Sequence, residues 1–154
     1  MKVLKSLYLI IIFPVVIFSC QSVKTALYDQ YSYQQTTAIK VEASHIMDKA
    51  TTPYSDNKLL IEKLLLDIDK LVEYEKNKPN NEITFTMWKI LTDKEKNLLA
   101  GFFKRWEEKG SFLPAFLQEA KKQVTDALDL LIQYEIKKDK QSKDNLVDLI
   151  NLNK

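Results

Sequence analysis

From residue 25 onward, apolar side chains recur every three or four positions, the interval that lines up one face of an α-helix. The cleanest stretch carries Leu60, Ile61, Leu64, Leu65, Ile68, Leu71 and Val72 on one face, with Glu62, Asp69 and Glu73 opposite. Ser55 or Asp56 is placed to cap this helix. Lys78-Pro79-Asn80-Asn81 ends it, because proline cannot continue the hydrogen-bond ladder. A preceding helix is predicted over about residues 24–50, stopping before Thr51-Thr52-Pro53. A third segment, 82–109, aligns Trp88, Leu91, Leu98, Leu99, Phe102, Phe103 and Trp106. Inside it Thr92-Asp93-Lys94-Glu95 has the capping-box pattern, so two helices are expected to meet near Thr92. Ile83, Phe85 and Met87 alternate with Thr84 and Thr86, which is the pattern of a short strand; such a strand has no partner in this chain, and helix is preferred. Gly110 is placed to end the segment in the left-handed conformation. Pro114 suits the first turn of a fourth helix carrying Leu117, Ala120, Val124, Leu128 and Leu131. The tail, 139–154, is polar, with Leu146, Val147, Leu149 and Ile150 spaced for a short amphipathic helix. The pattern predicts an all-α protein, a small helical bundle of about four main helices over residues 25–138.

The first twenty residues follow a different rule. Lys2 and Lys5 precede an apolar run at 7–18, broken only by Pro14. This is the build of a secretory signal. Twelve helical residues span only about 18 Å at ~1.5 Å each, too little for a hydrocarbon core of about 30 Å. The run ends Ile17-Phe18-Ser19-Cys20, with an aliphatic residue three before the cysteine and a small residue just before it. These residues resemble the lipobox of bacterial lipoproteins. The resemblance implies a signal peptide at 1–19, cleavage before Cys20, and a covalent diacylglycerol and an N-acyl chain on Cys20, leaving 20–24 as a short tether. The body is similar in architecture to small lipoproteins of Bacteroidota-type Gram-negative bacteria. Gln21 is not the aspartate associated with inner-membrane retention, and Gln21-Ser22-Val23-Lys24 carries no acidic export stretch. An outer-membrane anchor with the body in the periplasm is therefore expected.

Composition narrows the functional classes. Two glycines leave almost no room for a glycine-rich phosphate loop, and one cysteine and one histidine exclude disulfide scaffolds and multi-His or multi-Cys metal sites. The formal charge of +2 offers no basic field for nucleic acid. Lys2 and Lys5 account for all of it, so a chain beginning at Cys20 is formally neutral. No cofactor is implied beyond the acyl chains.

Candidate chemistry is sparse. Glu42 and His45 stand three apart on one helix face, the Glu-x-x-His spacing of ferritin-like carboxylate bundles. Glu75 and Glu135 fall in phase with the apolar stripes of their own helices, so a cation held by Glu42, His45, Glu75 and Glu135 is conceivable. Against it, the family's second Glu-x-x-His is missing, both glutamates sit near helix ends with lysines beside them, and a locally bonded surface histidine is simpler. Tyr28, Tyr31 and Tyr33, with Tyr54, suit a membrane interface, a partner surface or a core with wet hydroxyl ends. Residues 69–75 and 129–135 match at an offset of 60, including Tyr74/Tyr134 and Glu75/Glu135, which would suit two αα-hairpins. The expected function is a membrane-anchored binding or structural module with an envelope-protein partner and no catalysis. A carrier that opens around an apolar ligand at Trp88, Phe102, Phe103 and Trp106 is the alternative.

Overall fold

The computed structural model describes residues 25–153, and Cys20 with the whole signal region lies outside them. Six helices follow one another: α1 (Gln30–Met47), α2 (Lys58–Lys76), α3 (Glu82–Leu91), α4 (Leu99–Lys109), α5 (Pro114–Lys137) and α6 (Lys140–Leu152), with a 3₁₀ turn at Tyr54–Asn57 leading into α2. The fold is all-α, and no strand occurs among the described residues; 83–87 is helical despite its alternation. No described helix is long and apolar enough to cross a membrane.

Five of the helices close a ring, and α4 packs on the 3₁₀ turn. α1 packs on α2, α2 on α3, α3 on α6, α6 on α5 and α5 back on α1. Each contributes the stripe its spacing predicts. Ile39, Ala43, Ile46 and Met47 come from α1, Ile61, Leu64, Ile68 and Leu71 from α2, and Leu117, Ala120, Val124, Leu128 and Leu131 from α5. Trp88, Phe102 and Trp106 are fully buried, with Phe102 against Trp106 and Phe112 at 6.2 and 5.2 Å between ring centres. Trp88, Phe102, Phe103 and Trp106, expected around a carrier's ligand, belong to the core.

Several boundaries differ from the sequence expectation. α1 begins at Gln30 rather than near residue 24, because Asp29 caps it, accepting from the N–H groups of Tyr31 and Ser32. Ser55 and Asp56 do not cap α2; they lie within the 3₁₀ turn, and Asn57 precedes the helix without a side-chain cap bond. The third segment does break at Thr92, but Thr92 closes α3 by donating its hydroxyl to the Trp88 carbonyl. α4 starts seven residues later, after the uncapped Leu98. Gly110 ends α4 with φ of 80° but ψ of −41°, outside the left-handed helical region expected for it. Its carbonyl accepts from Tyr54 N–H and Trp106 Nε1–H, fastening the 3₁₀ turn to α4.

The two-hairpin picture holds for α1 and α2 only. α5 takes α1 and α6 as its chief neighbours instead of the third segment. The tail explains why, since α6 inserts Leu146 and Ile150 into the same core, where both are buried.

Candidate functional site at the N-terminal end of the bundle

One end of the ring gathers the start of α1, the end of α2, the 77–81 turn and the end of α5. The chain enters there. Ala26 N–H donates to the Asn80 carbonyl, and Asn80 adopts a positive φ of 57° to present it. Thr25 hydrogen-bonds the side chain of Tyr134, whose pKa is nevertheless raised because burial outweighs that bond.

Beneath the entry point lies a buried charged cluster. Lys78 Nζ stands 3.4 Å from Glu75 Oε2, 3.5 Å from Asp29 Oδ2 and 3.8 Å from Glu135 Oε2, and donates to Ser32 Oγ at 2.8 Å. Glu75 is fully buried and Glu135 nearly so. Lys138, held in the left-handed conformation after α5, donates to Glu135 Oε2 at 2.7 Å and sits 4.6 Å from the Tyr134 ring centre. Glu135 Oε1 accepts the Asp29 N–H at 2.7 Å, and Asn81 Nδ2 donates to the Glu75 carbonyl at 2.9 Å and to its carboxylate. Carboxylates from α5 and from Asp29 thus meet the exposed N–H groups at the start of α1, where the helix dipole favours negative charge.

The Asp29 carboxyl shows how these forces balance. Partial burial pushes its pKa up. The Tyr74 hydroxyl bond at 2.6 Å, the Ser32 N–H and the Lys78 charge together outweigh that and hold it below the ordinary aspartate range. The partner feels the reverse. The hydrogen bond to Asp29, then burial and the Asp29 charge, push Tyr74 up to about 12.

The predicted site residues separate. Glu75 and Glu135 do converge, with the Lys78 ammonium between them. They do not emerge into solvent at their helix ends, because α1 and the 77–81 turn cover them. Glu42 lies roughly 20 Å along α1 from Asp29 at ~1.5 Å per residue, exposed and 3.6 Å from Lys63 of α2. His45 is exposed in the last turn of α1. Among the described residues no three or more His, Cys, Asp or Glu are placed to hold a metal ion. Tyr31 rests edge-on against Tyr74 with ring centres 4.7 Å apart, and Tyr28 lies 6.4 Å from Tyr33. Leu27, Tyr28, Tyr74, Lys78 and Pro79 line one open groove of about 580 Å³ at this end.

Asp29 and Asn81 were not singled out from sequence, whereas the lysines set beside both glutamates are Lys78 and Lys138, which do pair with them. A signal existed. Glu75 and Lys78 repeat at the offset of 60 as Glu135 and Lys138, each pair three apart across a helix end. Comparison with protein-family models, curated proteins and solved structures finds no match.

Proposed function

We propose that this chain is a lipid-anchored cell-envelope protein whose helical body is a binding or structural module and not a catalyst. The observation that carries the reading is Ile17-Phe18-Ser19-Cys20 closing an apolar run behind Lys2 and Lys5. Two structural features support it. The body begins within six residues of Cys20, where Ala26 hydrogen-bonds Asn80, so the anchor would hold the bundle directly. Glu75, Glu135 and Lys78 pair with one another and Glu135 with the start of α1, the arrangement of a fastening, although the buried Glu75 Oε1 has no hydrogen-bond partner. The favoured placement is the outer membrane, body facing the periplasm, with another envelope protein as partner.

Labelled palmitate supplied to cells expressing the full chain tests the anchor. Label is expected on the wild type and absent from Cys20→Ala, which is expected to leave the membrane fraction. A labelled Cys20→Ala protein, or an unlabelled wild type, removes the lipoprotein reading. Cross-linking in intact cells tests the partner, and no envelope protein above the background of an unrelated lipoprotein counts against a binding role.

A further inference from the structure

We infer that the end of the bundle carrying Leu27, Tyr28, Tyr31 and Tyr74 rests in the headgroup layer of the membrane, so that the helices stand up from the bilayer on this face. The inference rests on the lipid anchor at Cys20 and adds an orientation and a contact surface to it.

Large apolar side chains are exposed at both ends of the bundle, and singly along its sides at Val41, Leu66 and Leu152. Chemistry alone does not choose between the ends. The N-terminal end shows Leu27 at 86% exposure with three half-exposed tyrosines beside it. The far end shows Leu113 at 77%, with Leu59 and Phe116. Covalent geometry chooses. The five steps from Cys20 to Thr25 reach at most about 18 Å at ~3.6 Å per residue. The headgroup layer itself takes up about 5–8 Å of that. The far end lies at the start of α5, whose 24 residues put it roughly 36 Å beyond the first at ~1.5 Å per residue. A tether of this reach therefore allows Leu27 to meet the interface and keeps Leu113 out of it while the bundle stands upright.

The exposed groups suit that layer. Tyrosine places an apolar ring and a polar hydroxyl across a boundary between hydrocarbon and water, and a neighbouring leucine adds apolar area. The Tyr31–Tyr74 contact and the Ala26–Asn80 bond hold these side chains on a fixed surface, so little ordering is needed on contact. Exposed charge at this end is mixed: Lys76, Lys137 and Lys140 against Glu73, Glu82 and Asp139. The attraction is apolar, and its salt dependence is expected to be slight.

The test uses the full lipidated protein in phosphatidylcholine vesicles whose acyl chains carry bromine, a short-range quencher of tryptophan. Leu27→Trp and Tyr31→Trp report the near end and Leu113→Trp the far end. The buried Trp88 and Trp106 supply a background measured in the unsubstituted protein. The added emission at 27 and 31 is expected to fall severalfold, with no loss at 113 and no recovery in high salt. Emission unchanged at 27 and 31, in protein that floats with the vesicles and carries the acyl mass on Cys20, overturns the inference and leaves the anchor standing. Quenching at 113 as well as at 31 overturns it too, since the bundle then lies on its side. Protein without the acyl mass that fails to float removes the anchor, and the orientation falls with it.

Discussion

Lys78 holds three carboxylates, and its removal leaves three negative groups partly or fully buried around an empty centre. Breaking a buried ion pair from one side costs about 3–5 kcal/mol. Lys78→Ala is expected to lose that much, read as a lowered urea midpoint, whereas Lys63→Ala, whose Glu42 and Asp67 contacts are largely exposed, is expected to lose less than about 1 kcal/mol. The Asp29–Tyr74 pair gives two pH signatures. Asp29 is depressed when folded, so its contribution is complete above the unfolded value of about 3.9 and disappears as pH falls through the lower folded value. Asp29→Asn is expected to flatten the loss of stability below about pH 4. Tyr74 is raised, so its contribution is complete below the unfolded value of about 10 and is lost as pH climbs to about 12. An ultraviolet titration is expected to show Tyr74 among the late-ionising tyrosines, with Tyr54 and Tyr134, and Tyr74→Phe to reduce the late absorbance change by one tyrosine.

The two glycines separate two reasons for using glycine in a helical chain. At Gly101, inside the first turn of α4, a Cβ would stand 1.8 Å from the Lys96 carbonyl oxygen. The 93–97 loop folds so closely over this turn that alanine requires the backbone to move. At Gly110 a Cβ would meet nothing within 4 Å, and only the positive φ resists substitution. Gly110→Ala is expected to cost about 1–3 kcal/mol from backbone strain alone. Gly101→Ala is expected to cost more than Gly110→Ala, with thermal unfolding by circular dichroism as the measure. The same loop accounts for the break between α3 and α4. A capping-box pattern marked the place, yet Thr92 bonds backward to Trp88, and α4 begins only at Leu99.

The tail packs into the same core as the rest of the body. Leu146 is fully buried between helices that belong to the middle and the end of the chain. Leu146→Ala is expected to cost about 2–5 kcal/mol, as for other buried leucines, and to lower the unfolding temperature of the whole body in a single transition. A separate, earlier transition for 139–154 would show instead that the tail folds independently.

Helix content, the apolar stripes and the punctuation at Pro79, Gly110 and Pro114 were all legible along the chain, because each is a property of neighbours three or four residues apart. Leu117 through Leu131 and Trp88 through Trp106 went to the core as their spacing requires. The charged cluster was not legible in the same way. Spacing says that Glu42 and His45 share a face and that Glu75 and Glu135 lie on apolar stripes, but not what each face meets. That depends on how far α1 is rotated and where the 77–81 turn brings Lys78. Glu42 and His45 consequently remain in solvent, while Asp29, Glu75, Lys78 and Glu135, spread over more than a hundred residues, share one buried site. Local periodicity is encoded in the chain itself; the pairing of faces is settled only when the helices close their ring.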